Sequence, residues 1–457
     1  MKRHLVAALG IVVYGAGLLA RLSDAAAYLA LPLRLTGLAL LAFVAWRRRS
    51  LMTWIFWAMI AGAELGADAP TVAVNLRVFS DIFLRLIKTI VAPLILGTLI
   101  TGIAAHGQLR SLGRMGLKAL VYFEVLTTVA MLVGLAAINM TRAGVGLAVP
   151  QQSSIANLPQ TQTALRWDDV LLHTFPENIA KSVAENQILQ VAVFAILFGV
   201  AMGRLSAENR APLLRVIESL TKTMFAFTNI VMYYAPIGVG AAMAYTVGHL
   251  GTGVLVHLGR LLLTLYAALL AFGLVGLLPA ALIARVPIRK FLRSVAEPAT
   301  IAFATSTSEA ALPRAMEAME ALGVPRRIVA FVIPAGYSFN LDGSTLYLAL
   351  AGVFVAQAAG VAMSWKEQIF MLATLMLTSK GVAGVPRATL IVLLATAAMF
   401  HLPEEPIFVI LGIDALMDMA RTTVNVVGNC LASVVIARWE GEFATEAPDV
   451  ETMEALS

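Results

Sequence analysis

Apolar runs of about 20 residues, the length an α-helix needs to cross a bilayer, begin near His4, Ala27, Leu51, Phe79, Ala119, Leu189, Phe225, Leu258, Ile328 and Pro406. The pattern predicts about ten crossings. Two further apolar runs, Ala299 to Ala321 and Gln368 to His401, are interrupted at their centres by TSTSEAALP and TSKGVAGVPRAT. Both are expected to be re-entrant helical hairpins, because irregular backbone at membrane depth is tolerated only where protein or a cavity covers it. The expected fold class is an all-α polytopic membrane protein.

Composition agrees: 60% of residues are hydrophobic, 13% are charged and the mean hydropathy is +0.84, more apolar surface than a soluble chain of 457 residues can use. The net charge of +6 implies no nucleic-acid partner, since Lys and Arg gather in short connections between apolar runs. Arg47 to Arg49, Arg110 with Arg114 and Lys118, Arg204 with Arg210, Arg285 with Arg289, Lys290 and Arg293, and Arg326 with Arg327 fall on one side if the two broken runs do not cross. That side is cytoplasmic by the positive-inside rule, which puts both termini inside and Thr141 to Asn186 in an outside loop. The start MKRHLVAALG also admits a second reading as a cleaved signal peptide with a processing region at Ser23 to Ala27. The single cysteine, Cys430, excludes an internal disulfide and packs best as a small hydrophobe.

Between Ile407 and Arg438 the residues Asp414, Asp418, Arg421, Asn425 and Asn429 share one face of an otherwise apolar helix, within roughly 80° of one another. A charge at mid-membrane costs about 2.5 to 3.5 kcal/mol, so this stripe must face protein, water or ligand. In the first broken run, Thr305 to Ser308 can bond back to the i−4 carbonyls of an ordinary helix or open it, and the exit proline Pro313 favours a break whose free N–H groups hold an anion. Asn340-Leu341-Asp342-Gly343-Ser344 would be a plain turn in a soluble protein; at mid-bilayer it exposes carbonyls and a carboxylate suited to a cation or proton. In the second broken run, Gly381 and Gly384 let backbone approach a ligand, while Lys380 and Arg387 suit snorkelling to an interface.

TSTSEAALP, NLDGS, SKGVAGVP and GIDALMDMARTTVNVVGN, in that order, resemble the dicarboxylate/amino acid:cation symporter family, over roughly Leu51 to Glu440. The resemblance implies about eight family transmembrane helices plus two re-entrant hairpins, a homotrimer, and an elevator motion of a transport domain against a scaffold. Residues 1–50 become two additional N-terminal membrane segments and 51–440 the transporter core. Scaffold is expected mainly from 51–110 and 185–250, transport domain mainly from 115–140 and 258–438, including hairpins 299–321 and 368–401, with 441–457 a cytoplasmic tail. Carried over by position, Arg421 meets the substrate side-chain carboxylate and Asp418 the amino group. Asn425, Thr422, Ser344, Thr307, Ser308, Gly384 and Val385 supply the remaining substrate contacts.

Asp418 favours glutamate or aspartate, since relatives carrying four-carbon dicarboxylates have a residue such as Ser there and no ammonium to meet. Sodium-coupled members put an Asp where this chain has Asn429 and a Thr where it has Val382, so two sodium sites look degraded here. Asp342, Asn340, Thr127 and Thr128 match a third sodium site, while Ser379 and Asn429 complete the expected cation-coupling set. Glu124, standing where some relatives have Tyr, is a proton carrier if burial raises its affinity for a proton, and Glu309 is another candidate.

The expected function is therefore symport of an acidic amino acid with a cation, the proton ahead of sodium, across a bacterial inner membrane, with no cofactor and no certain metal. The alternative is a four-carbon dicarboxylate symporter of the same architecture. A channel fits re-entrant hairpins less well, and a hydrolase lacks a base: no histidine lies inside the motifs, His401 coming nearest.

Overall fold

The computed structural model describes residues 2–21, 27–104, 109–147, 175–185, 187–379, 388–400 and 402–443. The tip of the second expected hairpin (380–387), most of the expected outside loop (148–174) and the end of the tail (444–457) lie outside them. The described residues are nearly all helical, and none forms a strand. In chain order the helices are α1 (Lys2–Arg21), α2 (Ala27–Arg48), α3 (Leu51–Asp68), α4 (Pro70–Asn75), α5 (Arg77–Ala104), α6 (Leu109–Thr141), α7 (Ile179–Ala184), α8 (Ile188–Gly203), α9 (Ala207–Met232) and α10 (Ala235–Leu250). They continue with α11 (Val254–Phe272), α12 (Leu278–Ile283), α13 (Ile288–Thr305), α14 (Ser308–Ala321), α15 (Arg326–Phe339), α16 (Asp342–Ala358), α17 (Trp365–Thr378), α18 (Ala388–Met399), α19 (Glu405–Leu411) and α20 (Asp414–Glu440).

Six spans among the described residues are long and apolar enough to cross a bilayer: Tyr28–Arg48, Pro70–Thr101, Arg114–Thr141, Val254–Ile283, Arg326–Ala358 and Asp414–Glu440. A seventh is the pair α9 and α10, bent by 51°. The chain is a multi-pass membrane protein. The apolar runs expected from His4 and Leu189 form α1, whose 20 residues at 1.5 Å each reach about 30 Å, and α8, whose 16 reach about 24 Å.

The chain forms two compact units, one of Met1–Arg85, Ile230–Val256 and Phe408–Ala415, the other of Leu86–Asn229, His257–Ile407 and Leu416–Ser457. The expected scaffold stretches divide between them, 51–85 and 230–250 in the first, 86–104 and 187–229 in the second.

In the first unit α1 and α2 form a tight hairpin. A Cβ on Gly37 would lie 2.7 Å from the backbone N of Tyr14, so the helices meet almost backbone to backbone. The hairpin is fastened to α3 by charge. Arg34, only 5% exposed, ion-pairs with Glu64 and with Asp68 at 3.1 Å; Tyr14 donates to Glu64, and Arg21 reaches Asp68 at 3.4 Å. An arginine inside an apolar helix is tolerated because these partners replace its water.

In the second unit α16 is buried all round from Asp342 to Ala356, which makes it the central helix of a core. A Cβ on Gly134 would lie 3.2 Å from Leu346 C, and one on Gly144 2.7 Å from Phe354 O, so α6 and α16 run parallel in close register. Extending that register back two turns brings Thr127 to the level of residues 339–342. Three of the basic clusters converge at one end of this unit. Arg114 and Lys118 bind Glu440 at 2.8 and 2.6 Å, Arg327 pairs with Glu442, and Arg438 donates to the carbonyl of Arg285 at 3.2 Å. That convergence fits their expected placement on one side of the membrane.

Candidate functional site

The site lies where α16 begins, after a break in what would otherwise be one long apolar helix. Asn340 and Leu341 leave the helical conformation with φ/ψ of −125/71° and −99/56°, which strands the first N–H groups of α16 without carbonyl partners. Asn425 of α20 takes them: its Oδ1 accepts from Gly343 N at 2.8 Å and Ser344 N at 3.2 Å, while its Nδ2 donates to Ser344 Oγ at 2.9 Å. The carboxamide works as a helix cap delivered across helices. Gly343 is required here, because a Cβ would lie 2.9 Å from Arg421 Cα and closer still to its carbonyl oxygen.

One turn away on α20, Arg421 is 1% exposed and its Nε donates to Asp418 Oδ1 at 2.8 Å. Thr422 Oγ1 donates to the same oxygen at 3.3 Å. The guanidinium lies over the Tyr347 ring, 4.4 Å from its centroid, a cation–π contact screened from water. Tyr347 belongs to the α16 face that carries Ser344, and the sequence reading did not single it out. A tyrosine in a wholly buried apolar helix was the available signal. Tyr266 steadies the start of this segment by donating to Leu416 O at 2.9 Å.

A second polar cluster sits on the other side of the break. Asp342, Asn340 and Asn429 are completely buried, and Asn340 Nδ2 donates to Asn429 Oδ1 at 3.0 Å. A Cβ on Gly428 would lie 2.6 Å from Asp342 Oδ2 and 3.5 Å from Asn340 Nδ2, so the carboxylate and amide converge on that glycine. Asn340 Oδ1 and the buried Thr127 Oγ1 make no hydrogen bond within the described protein. A carboxylate converging with such an amide, with Thr127 at the same level of α6, is a donor set for a hard cation or a seat for a proton.

The other expected residues have local settings of their own. Thr128 is exposed, its hydroxyl donating to Glu124 O at 2.7 Å, and Glu124 is half-buried. Ser379 is buried and donates to Met376 O at 3.2 Å. Thr307 and Ser308 form the tip of the hairpin α13–α14, where Ser306 adopts the left-handed conformation (φ 53°, ψ 30°) and Thr307 is extended. The expected break is therefore at Ser306-Thr307, and Arg314 laces the two arms by pairing with Glu297 at 3.5 Å. Gly384 and Val385 lie outside the described residues, and Asp414, buried in the first turn of α20, belongs to the first unit.

The family model for sodium:dicarboxylate symporters matches residues 51–439. The chain belongs to the sodium:dicarboxylate symporter family. Its relatives include the proton/glutamate-aspartate symporter of Escherichia coli (strain K12), 41% identical over 409 residues that cover 86% of this chain and 94% of that protein. The proton/sodium-glutamate symport protein of Bacillus caldotenax is 39% identical over 88% of this chain and 97% of its own. The C4-dicarboxylate transport protein of Solibacter usitatus (strain Ellin6076) is 41% identical over 86% and 93%. This family is one of transporters, and α1 with α2 precedes the matched part of the symporter.

Proposed function

We propose that this symporter carries glutamate or aspartate together with protons by alternating access. The observation that carries the reading is the buried pair Asp418 and Arg421 on one turn of α20. A guanidinium binds a carboxylate bidentately, and a carboxylate beside it binds an ammonium, so the pair asks for a ligand bearing both charges. Asn425, Ser344 and Thr422 adjoin it; Thr307, Ser308, Gly384 and Val385 from the two hairpins would complete the enclosure. Asp342 with Asn340 and Thr127 is the coupling site, with Thr128, Ser379 and Glu124 as further candidates. Asn429 leaves that site a single carboxylate, which favours a proton over sodium. The reading extends to a homotrimer with an elevator motion in a bacterial inner membrane, acting on small anionic substrates without an enzymatic step or cofactor.

The four-carbon dicarboxylate reading is kept alive by the Solibacter relative, as similar as the E. coli one. Uptake of labelled aspartate, glutamate and succinate into proteoliposomes, under a sodium gradient or an inward proton gradient alone, decides between them. Proton-driven amino-acid uptake that Asp418→Ser abolishes is the expected result. Succinate uptake alone, spared in Asp418→Ser, would transfer the substrate to the second reading, and dependence on sodium alone would remove the proton.

A further inference from the structure

At the end of the second unit where the basic clusters converge, a cavity of about 260 Å³ opens between the start of α13, the end of α14 and Phe443. Lys290, Arg293 and Ser294 line one side, Leu322 and Phe443 the other. Lys290 and Arg293 are three residues apart on α13 and so share a face. Neither makes an ion pair among the described residues. Among the described residues, the carboxylates at the end of α20 and after it are already taken, Glu440 by Arg114 and Lys118, Glu442 by Arg327. Arg438 adds a third positive charge behind the wall, its guanidinium 4.3 Å from the centre of the Phe443 ring. Glu320, next to the lining residue Ala321 on α14, is an acid that works against this field.

We propose that this cavity binds the phosphate headgroup of an anionic phospholipid. Two unpaired cations beside a hydroxyl form a phosphate site, and the positive-inside rule puts this end of the unit at the cytoplasmic leaflet, where anionic lipid gathers. The apolar wall gives the glycerol portion a surface that a free phosphate would not use, and α12 and α13, joined through the lining residue Pro287, expose Leu282, Ile283 and Leu292 to lipid at 58%, 79% and 57%. The site is separate from the Asp418 and Arg421 pair and does not depend on which substrate that pair takes.

Full-length protein in neutral detergent, titrated with dioctanoyl phosphatidylglycerol and separately with dioctanoyl phosphatidylcholine, tests this through its melting temperature. The phosphatidylglycerol is expected to stabilise and the phosphatidylcholine to do nothing. Lys290→Gln with Arg293→Gln should weaken the phosphatidylglycerol response about 30-fold, the loss of two cations at a lipid surface. Glu320→Gln should strengthen it, and the charge-matched pair Arg215→Gln with Lys222→Gln on α9 should leave it as in wild type. An undiminished response in the first pair overturns the site. An equal response to inorganic phosphate overturns the lipid. A response that appears only after Glu446, Asp449, Glu451 and Glu454 are neutralised makes the chain's own acidic end the occupant and overturns it as well.

Discussion

Gly343→Ala is the sharpest test of how the site is held. Gly343 opens α16, and its backbone N–H is bonded to Asn425 while its Cα side faces the backbone of Arg421. A methyl group there would lie 2.9 Å from Arg421 Cα, where ordinary contact begins near 3.4 Å, and it meets the carbonyl oxygen sooner. Both obstacles are backbone, so no side chain can rotate away and α16 and α20 must separate by half an ångström or more. Overpacking of this kind costs about 1–3 kcal/mol of stability. The displacement matters more for function, because a shift of about 1 Å in a positioned group is worth roughly 100-fold; Gly343→Ala should lower uptake efficiency about 10- to 100-fold. Initial rates of labelled aspartate uptake into proteoliposomes, with melting temperature measured on the same preparation, provide the readout. Gly352→Ala is the control, since its methyl would meet only the flexible end of Met371, 2.9 Å from Cε. Wild-type uptake and melting temperature in Gly343→Ala would refute the claim that backbone contact between these helices sets the site.

Other changes probe separate parts of the structure. Tyr347→Leu removes the ring beneath Arg421 and should weaken substrate binding about 30-fold, the equivalent of about 2 kcal/mol for a desolvated cation–π contact, while Tyr347→Phe keeps it; equilibrium binding of aspartate measures both. Asn429→Asp places a second carboxylate beside Asp342 and Asn340, so uptake should become responsive to a sodium gradient, read in the same proteoliposomes with and without sodium. Glu64→Gln leaves Arg34 with Asp68 alone and should cost about 1–3 kcal/mol, seen as a lower melting temperature with unchanged substrate affinity.

Much of this was legible in the residues. The break before α16 follows from Asn340, Asp342 and Gly343 in an apolar run, and the tip of the first hairpin from four successive hydroxyls, because local chemistry competes there with helical hydrogen bonding. The polar face of α20 follows from helical periodicity alone. The role of Asn425 as the cap of α16 does not, since it joins residues 81 and 82 positions apart and only packing brings them together. Tyr347 escaped for a related reason: its neighbours on α16 are apolar, and only the approach of α20 makes its ring face a charge. Arg34 is the converse case. Its place in an apolar run demanded an acidic partner, yet nothing local distinguished Glu64 and Asp68 from any other acids.

The bond from Arg421 to Asp418 also bears on the half of a transport cycle in which nothing is carried. A lone guanidinium moved across a membrane potential of 100 mV exchanges about 2.3 kcal/mol with the field. Paired as it is here, the arginine and the aspartate form a dipole of no net charge. An unloaded carrier can then reset without these two residues feeling the voltage, and any current that accompanies the cycle must be borne by the substrate, its coupled ions or the second acidic site at Asp342.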